Sequence, residues 1–483
     1  MFGFFTCAPM ESVSEFLYDH LFAPYVEALP NGEAKYAQYG LRKVEASLLR
    51  EFRRDEVIVG HPEYMEKLIG PKTEVVGLNV MDPLGIGPVT TSFAFGTWVT
   101  PFNRVKFRKF VDRINRIRRE NGYKFKLVVG GGGAWQLLDE RKKEELGIDH
   151  VALGEADADA PRVFREIMDG SAKEVIRMKP PRVEEIPDIV KPSINSLVEV
   201  MRGCGRNCRF CDPNTRMARY MPLDKIKREA MVNLRGGHKS VWMHSEDVLL
   251  YMLEDRKNFY PNRDAVVELY REVGSLPGVE KFGATHLSLS AVAADEELIP
   301  KLSKFLGTRP DRWVGVQPGI ETGSPELLKR HMANKPKPFS VYEWPDVVRE
   351  AIRILNENYW EAVSTLIVGL PGETPEDTQE TIELVKTLDD THSVLAPLFF
   401  VPMGELRDQK YFTVDFITEK QWELIYVTWK HNLKEYNYGV MKATQHLNFI
   451  MRAILWLLTK WGSRLILGFL RDFGKKHFGI YLD

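Results

Sequence analysis

Cysteine is scarce in this chain, with four in 483 residues. That scarcity excludes a disulfide framework and fits a reducing compartment. Charge of one sign is lacking too, since 66 Lys plus Arg against 67 Asp plus Glu leave a formal net charge of −1. A balance so close to zero gives no global attraction to nucleic acid or to anionic membrane surfaces. The opening Met1 to Cys7 is apolar but has neither a basic leader nor a long hydrophobic run, so no signal peptide is expected and the protein reads as cytoplasmic. Cys7 stands alone and reads as an idle thiol. A G-x-G-x-x-G turn followed by an acidic ribose ligand is also missing, which argues against a nicotinamide site.

Three of the four cysteines fall close together, in Val198-Glu199-Val200-Met201-Arg202-Gly203-Cys204-Gly205-Arg206-Asn207-Cys208-Arg209-Phe210-Cys211-Asp212. A short apolar run delivers the chain into a Gly-rich turn, and Cys204, Cys208 and Cys211 follow at C-x3-C-x2-C. A closed iron–sulfur cluster takes four thiolates, so three leave one iron open to a substrate or cosubstrate. Structural zinc also closes with four ligands. No fourth Cys is near, and His238 and His244 lack finger spacing, so zinc is the weaker reading. Disulfides at such spacing would be strained and would leave an odd thiol.

This motif, with Phe210 before the last Cys, resembles the signature of the radical SAM superfamily. The resemblance implies a 4Fe–4S cluster on Cys204, Cys208 and Cys211, with S-adenosylmethionine (SAM) chelated at the open iron. Reductive cleavage of SAM then yields a 5′-deoxyadenosyl radical. An electron donor such as ferredoxin or flavodoxin is implied with it.

The length predicts several domains. Residues 1–70 read as a helical extension, with helices over Ser12 to Glu27 and Leu41 to Phe52. Residues 71–170 alternate strand, Gly-rich loop and helix, which predicts a doubly wound, Rossmann-like parallel sheet. Its strands are Glu74 to Val80, Lys124 to Val129 and His150 to Leu153. Ligands in such sheets bind at the carboxyl ends of strands, where Gly130, Gly131 and Gly154-Glu155 lie. Placed before a radical SAM core, this segment is similar to the cobalamin-binding domains of class B radical SAM enzymes. The resemblance makes those four residues cofactor-binding candidates. The family's D-x-H-x-x-G lower-ligand motif is absent, and a vestigial domain that binds no cobalamin is the alternative.

A proline-bearing linker, 171–196, leads to the predicted core, 197–410. Strand-like runs begin there near Leu197, Lys239, Phe282, Trp313, Ala362 and Ser393, which predicts a partial (β/α)6 barrel of the TIM type, its chemistry at the strands' carboxyl ends. After the second strand, Ser245-Glu246 stands where the family has its Gly-Gly-Glu motif for the methionine amino group; the other reading is a helix N-cap. After the fourth, Glu321 is implied for the ribose hydroxyls. Ser324 is implied for the ribose or methionine carboxylate, though Ser324-Pro325 is also a standard helix start. After the fifth, Ile367 and Gly369 resemble the adenine-binding segment, and Thr374 to Asp377 caps the next helix. Arg202, Arg206 and Arg209 read either as ligands for SAM or the reductant, or as a basic halo around a negative cluster.

Residues 411–483 read as helical. Their most apolar tract, His446 to Phe469, is interrupted by Arg452, Lys460 and Arg464, so a transmembrane helix is not expected. It reads as a core helix packed on the barrel, or as an interfacial amphipathic helix in peripheral contact with a membrane. The expected function is radical SAM chemistry on an unactivated carbon of a small-molecule or lipid substrate, as cobalamin-dependent methylation. The alternatives are radical cyclisation or carbon–carbon coupling of a lipid or isoprenoid without cobalamin, or a non-catalytic metal- or cobalamin-binding regulator. A nucleic-acid partner is not expected, for want of basic charge and of an RNA-binding appendage.

Overall fold

The computed structural model describes residue 7 and residues 14–94, 99–212, 217–443 and 449–482. The chain forms two compact units, one of Met1–Val200, Arg219–His244 and Glu272–Phe282, the other of Met201–Ala218, Ser245–Arg271 and Gly283–Asp483.

In the first unit, β1 (Val75–Asn79), β2 (Lys126–Gly130), β3 (His150–Leu153) and β4 (Val175–Arg177) form a parallel sheet in that order. Strand parity divides the core. Leu127, Val129 and Val151 pack with Val111, Ile114 and Ile117 of the helix α1 (Phe102–Glu120). On the other face Val128, Ala152 and Ile176 pack with Val163 and Ile167 of α2 (Ala160–Met168). Both faces are therefore covered, as a parallel sheet requires. The strand order does not reverse among the described residues, so this sheet has no topological switch point of the usual ligand-binding kind.

The same unit holds β5 (Leu197–Glu199) and β6 (Ser240–His244), paired parallel with Val198 opposite Met243 and joined through α3 (Leu223–Arg235). With β7 (Lys281–Ala284) they make a sheet of order β5-β6-β7.

In the second unit, β8 (Val314–Val316) and β9 (Gly319–Glu321) run along one edge of β10 (Trp360–Val368), with β11 (Ser393–Phe399) on the other. Val314 opposes Trp360 and Gly319 opposes Thr365, so β8 and β9 are one strand interrupted after Val316, and its register slips between Gly319 and Glu321. Strands therefore stand close to all six expected positions. On β10, Ala362, Ser364, Leu366 and Val368 are buried on one face, while Thr365 and Ile367 share the other, half-buried face. Helices α4 (Pro325–His331) and α5 (Trp344–Glu357) connect β9 to β10, and α6 (Pro375–Thr387) connects β10 to β11. Thr374 and Asp377 close a capping box at the start of α6, as the sequence indicates.

Two long helices follow, α7 (Glu419–Ala443) and α8 (Phe449–Phe478). Asn432 of α7 accepts from Leu395 N (2.8 Å) and donates to Leu395 O (2.6 Å), which satisfies backbone groups on β11. Helix α8 is held to α7 by Trp422 Nε1 donating to Leu470 O (3.0 Å) and Asn437 Nδ2 donating to Ser463 Oγ (3.2 Å). The core-helix expectation for this tract is corrected, because only 11% of the most apolar window of α8 is buried. By length and composition it is also the one described helix long and apolar enough to cross a membrane. The part of the predicted tract before Phe449, and Ser12 and Val13 of the predicted first helix, lie outside the described residues.

Candidate active site

The cluster loop lies wholly in the second unit. Gly203, Gly205 and Asn207 all adopt positive φ (78°, 77° and 57°), which coils the backbone tightly enough to gather the three thiols. The Gly203 amide donates to Glu246 Oε2 at 2.6 Å, so the carboxylate expected from the Ser-Glu motif sits against this loop. Cys208 and Cys211 interact through their thiols, which holds Cys208 down to about 7 and, with desolvation, pushes Cys211 well up. Burial raises Cys204 to about 11.

No set of three His, Cys, Asp or Glu side chains among the described residues converges on a single metal ion. A four-iron cluster does not ask for that, since each thiolate binds a different iron of an extended core. Three thiols on one loop, with Cys204 and Cys208 both felt electrostatically by Cys211, fit this donor set.

Arg206 departs from the cosubstrate-ligand expectation, while the thiols of Cys204 and Cys208 act on it electrostatically, in keeping with the halo reading. Its buried guanidinium donates to the carbonyls of Asn334 (2.8 Å), Lys335 (3.1 Å) and Lys337 (3.1 Å) and to Ser288 Oγ (3.1 Å), and lies over the Phe259 ring. It clamps the cluster loop to the segment after α4. Asp247, fully buried nearby and raised by burial, accepts from Ser288 N at 3.1 Å. Arg209 is exposed and pairs with Glu405 at 3.0 Å, while its amide donates to His331 O at 2.9 Å.

Glu321 is buried with φ 68° and accepts from Lys335 Nζ (3.2 Å) and Thr365 Oγ1 (3.0 Å). Ile367, two residues on from Thr365, shares its strand face. Burial pulls Lys335 down, but Glu321 and the thiols of Cys208 and Cys211 outweigh it and the net shift is upward. Lys335 thus places positive charge beside the cluster loop, and nothing in its sequence context marks it. His331 and Gly404 were missed as well. His331 Nε2 meets Pro371 O at 2.8 Å, tying the end of α4 to the loop after β10. At Gly404 (φ 59°) a Cβ would collide with the carbonyls of Cys211 and Arg209.

Other candidates stand differently from expectation. Ser324 is fully buried; its hydroxyl accepts from Leu327 N and donates to Asp377, so it serves as a helix cap. Ser245 is also fully buried, and its hydroxyl meets no partner among the described residues. Phe210 is half-buried. Gly369 has φ 86°, but the close approach it allows is to the Phe412 ring, and its amide donates to Glu373 Oε2 at 2.6 Å.

In the first unit, the Gly run is explained by packing. A Cβ on Gly131 would strike Asn79 and Val80, and one on Gly154 would strike Met178 O, whereas Gly130 has only ordinary contacts. Glu155 forms a two-pronged pair with Arg219 (2.9 and 2.6 Å), both largely buried, and its expected cofactor role is corrected to a structural one. Asp82 carried no expected role, yet its carboxylate accepts from Ile86 N (2.9 Å), Gly87 N (3.0 Å), Asn103 Nδ2 (2.9 Å), Gln136 Nε2 (2.7 Å) and Thr90, organising the loop after β1.

Residues 198–385 match the family model of the radical SAM superfamily. The chain therefore carries a radical SAM domain, a domain built for a 4Fe–4S cluster and SAM, on a mixed α/β fold of parallel sheets with a helical C-terminal region. Among curated relatives, the tRNA-2-methylthio-N(6)-dimethylallyladenosine synthase of Rickettsia akari (strain Hartford) is 23% identical over 288 residues, 57% of this chain and 60% of that protein. The ribosomal protein uS12 methylthiotransferase RimO of Thermotoga maritima is 25% identical over 295 residues, 58% of this chain and 61% of that protein. The chain thus spans about six-tenths of the length of these relatives. Among solved structures, the radical SAM methyltransferase TsrM of Kitasatospora setae, with cobalamin and a 4Fe–4S cluster bound, shares the fold. Its TM-score is 0.53 at 16% identity, over 77% of this chain and 71% of that one.

Proposed function

We propose that this protein is a radical SAM methyltransferase that methylates an unactivated carbon of a small molecule with cobalamin as methyl carrier. One observation carries the reading. The likeness to TsrM covers 77% of the chain, well beyond the radical SAM match at 198–385, and so reaches past the catalytic core. The reading keeps 71–170 as a cobalamin-binding-like domain, 197–410 as the core and 411–483 as a helical domain. When bound, the reduced cluster supplies the electron that cleaves SAM.

The chain's own residues hold and orient. Cys204, Cys208 and Cys211 would ligate the cluster, with half-buried Phe210 next to Cys211 in the chain. Glu246, already a hydrogen-bond acceptor at the cluster loop, accepts from the methionine ammonium. Glu321 accepts from the ribose hydroxyls, and Lys335, 3.2 Å from that carboxylate, offsets the negative charge of the cluster. Ile367 and the backbone at Gly369 border the adenine. Gly130, Gly131 and Gly154 shape the strand ends that face the second cofactor. Methylthio transfer, as in the curated relatives, would need a sulfur source as well, and Cys7 is the chain's one cysteine outside the loop.

The test is anaerobic reconstitution with iron, sulfide and hydroxocobalamin, with ferredoxin or flavodoxin as donor. Cobalt bound in a one-to-one ratio, together with 5′-deoxyadenosine formed from SAM, is the expected result. A cluster without cobalt would sink the cobalamin step. Absence of 5′-deoxyadenosine would leave a non-catalytic regulator in its place.

A further inference from the structure

We propose that the outward face of α8 docks this protein on an anionic lipid bilayer, with the helix lying in the headgroup layer. This goes beyond the methylation reading and does not rest on it.

The polarity of α8 is inverted relative to a helix packed on a soluble protein. Its solvent side carries Ile450, Ile454, Leu457, Trp461, Leu465 and Phe469, a helical stripe whose members are 46% to 71% exposed. Its protein side, by contrast, presents Ser463, Leu470 and Gly474 to α7, where Asn437 and Trp422 hold it. A contiguous exposed apolar face of this size marks an interaction surface.

Charge selects the occupant. Lys460, Arg464 and Arg471 fall on one flank of the stripe at helical spacing, and Asp472 is the first acidic residue on the helix. An apolar face flanked by basic residues, with tryptophan among them, matches the boundary between acyl chains and anionic headgroups. Pairing of two copies through the same stripe would bring like-charged flanks together with no carboxylate on the face to meet them. A spanning geometry fits less well. Lys460 and Arg464 interrupt the apolar stretch, and the inner face stays bonded to α7 near the middle and the end of the helix.

The test is co-sedimentation of the full, anaerobically reconstituted chain with vesicles of phosphatidylglycerol mixed with phosphatidylcholine, and with phosphatidylcholine alone. The chain is expected to sediment with the anionic vesicles and to be released by high salt. Lys460→Gln/Arg464→Gln/Arg471→Gln should weaken binding roughly a hundredfold, at about fivefold per basic residue. Leu457→Gln/Trp461→Gln should abolish it. All five positions are exposed, so circular dichroism and cluster content should match the unaltered chain. Failure to sediment with either vesicle, or equal binding to neutral vesicles, would overturn the proposal. So would a dimer by light scattering that Leu457→Gln/Trp461→Gln converts to monomer while vesicle binding persists.

Discussion

Glu373 accepts from the Gly369 amide at 2.6 Å and from Gln421 Nε2 at 2.7 Å, and burial pushes it up to about 7 from 4.5. The folded state therefore holds this proton more tightly than the unfolded chain does. The resulting stability is fully present below about 4.5 and is lost as pH rises through about 7. Glu373→Gln removes that dependence. Relative to the unaltered protein, the variant should gain about 2 kcal/mol between pH 5 and pH 8, a figure discounted for partial exposure of the carboxyl. Urea unfolding midpoints of the two proteins at both pH values check this, and a constant gap would refute it. Single residues also show what a linear reading misses. Arg206 meets Asn334 and Ser288, 128 and 82 positions away, and Lys335 meets Glu321, 14 positions away. A basic residue in a Gly-rich loop looks the same in sequence whether it binds a cosubstrate or braces backbone carbonyls.

At the scale of elements, the loop at Gly404 presses directly on the cluster loop. Its positive φ and the carbonyls of Cys211 and Arg209 leave no room for a side chain. Gly404→Ala should displace the thiols while leaving the sheets intact. Iron and sulfide per chain after reconstitution should fall at least severalfold, with an unchanged circular dichroism spectrum. Full cluster loading would show that the contact does not position the ligands. Much at this scale was legible. The strand starts near Leu197, Lys239, Phe282, Trp313 and Ser393, and the capping box at Thr374, follow from local rules of apolar runs and helix starts. The break between β8 and β9 was not, because it depends on how Gly319 and Glu321 pair with β10 rather than on their own propensities. Glu155 was misread for a related reason, while Ser324 follows its helix-start reading rather than the ligand one. Each sits at a strand end or helix start where ligands also bind, and only the buried partners Arg219 and Asp377 reveal the structural use.

Taken whole, the molecule carries almost no net charge, −1 over 483 residues. Curated relatives include tRNA-modifying enzymes, yet a chain so balanced lacks the electrostatic term that supplies most nonspecific nucleic-acid affinity. Total tRNA is expected to leave its mobility unchanged in a gel shift at physiological salt; a discrete shifted band would show that the charge is locally concentrated and overturn the expectation. The same neutrality has a practical side. With a sequence pI near 6.9, molecules in a pH 7 buffer do not repel one another, and the bare stripe on α8 gives them something to stick with. Colloidal stability in the tube will then depend on moving the buffer away from neutrality or on supplying a mild amphiphile to coat that helix.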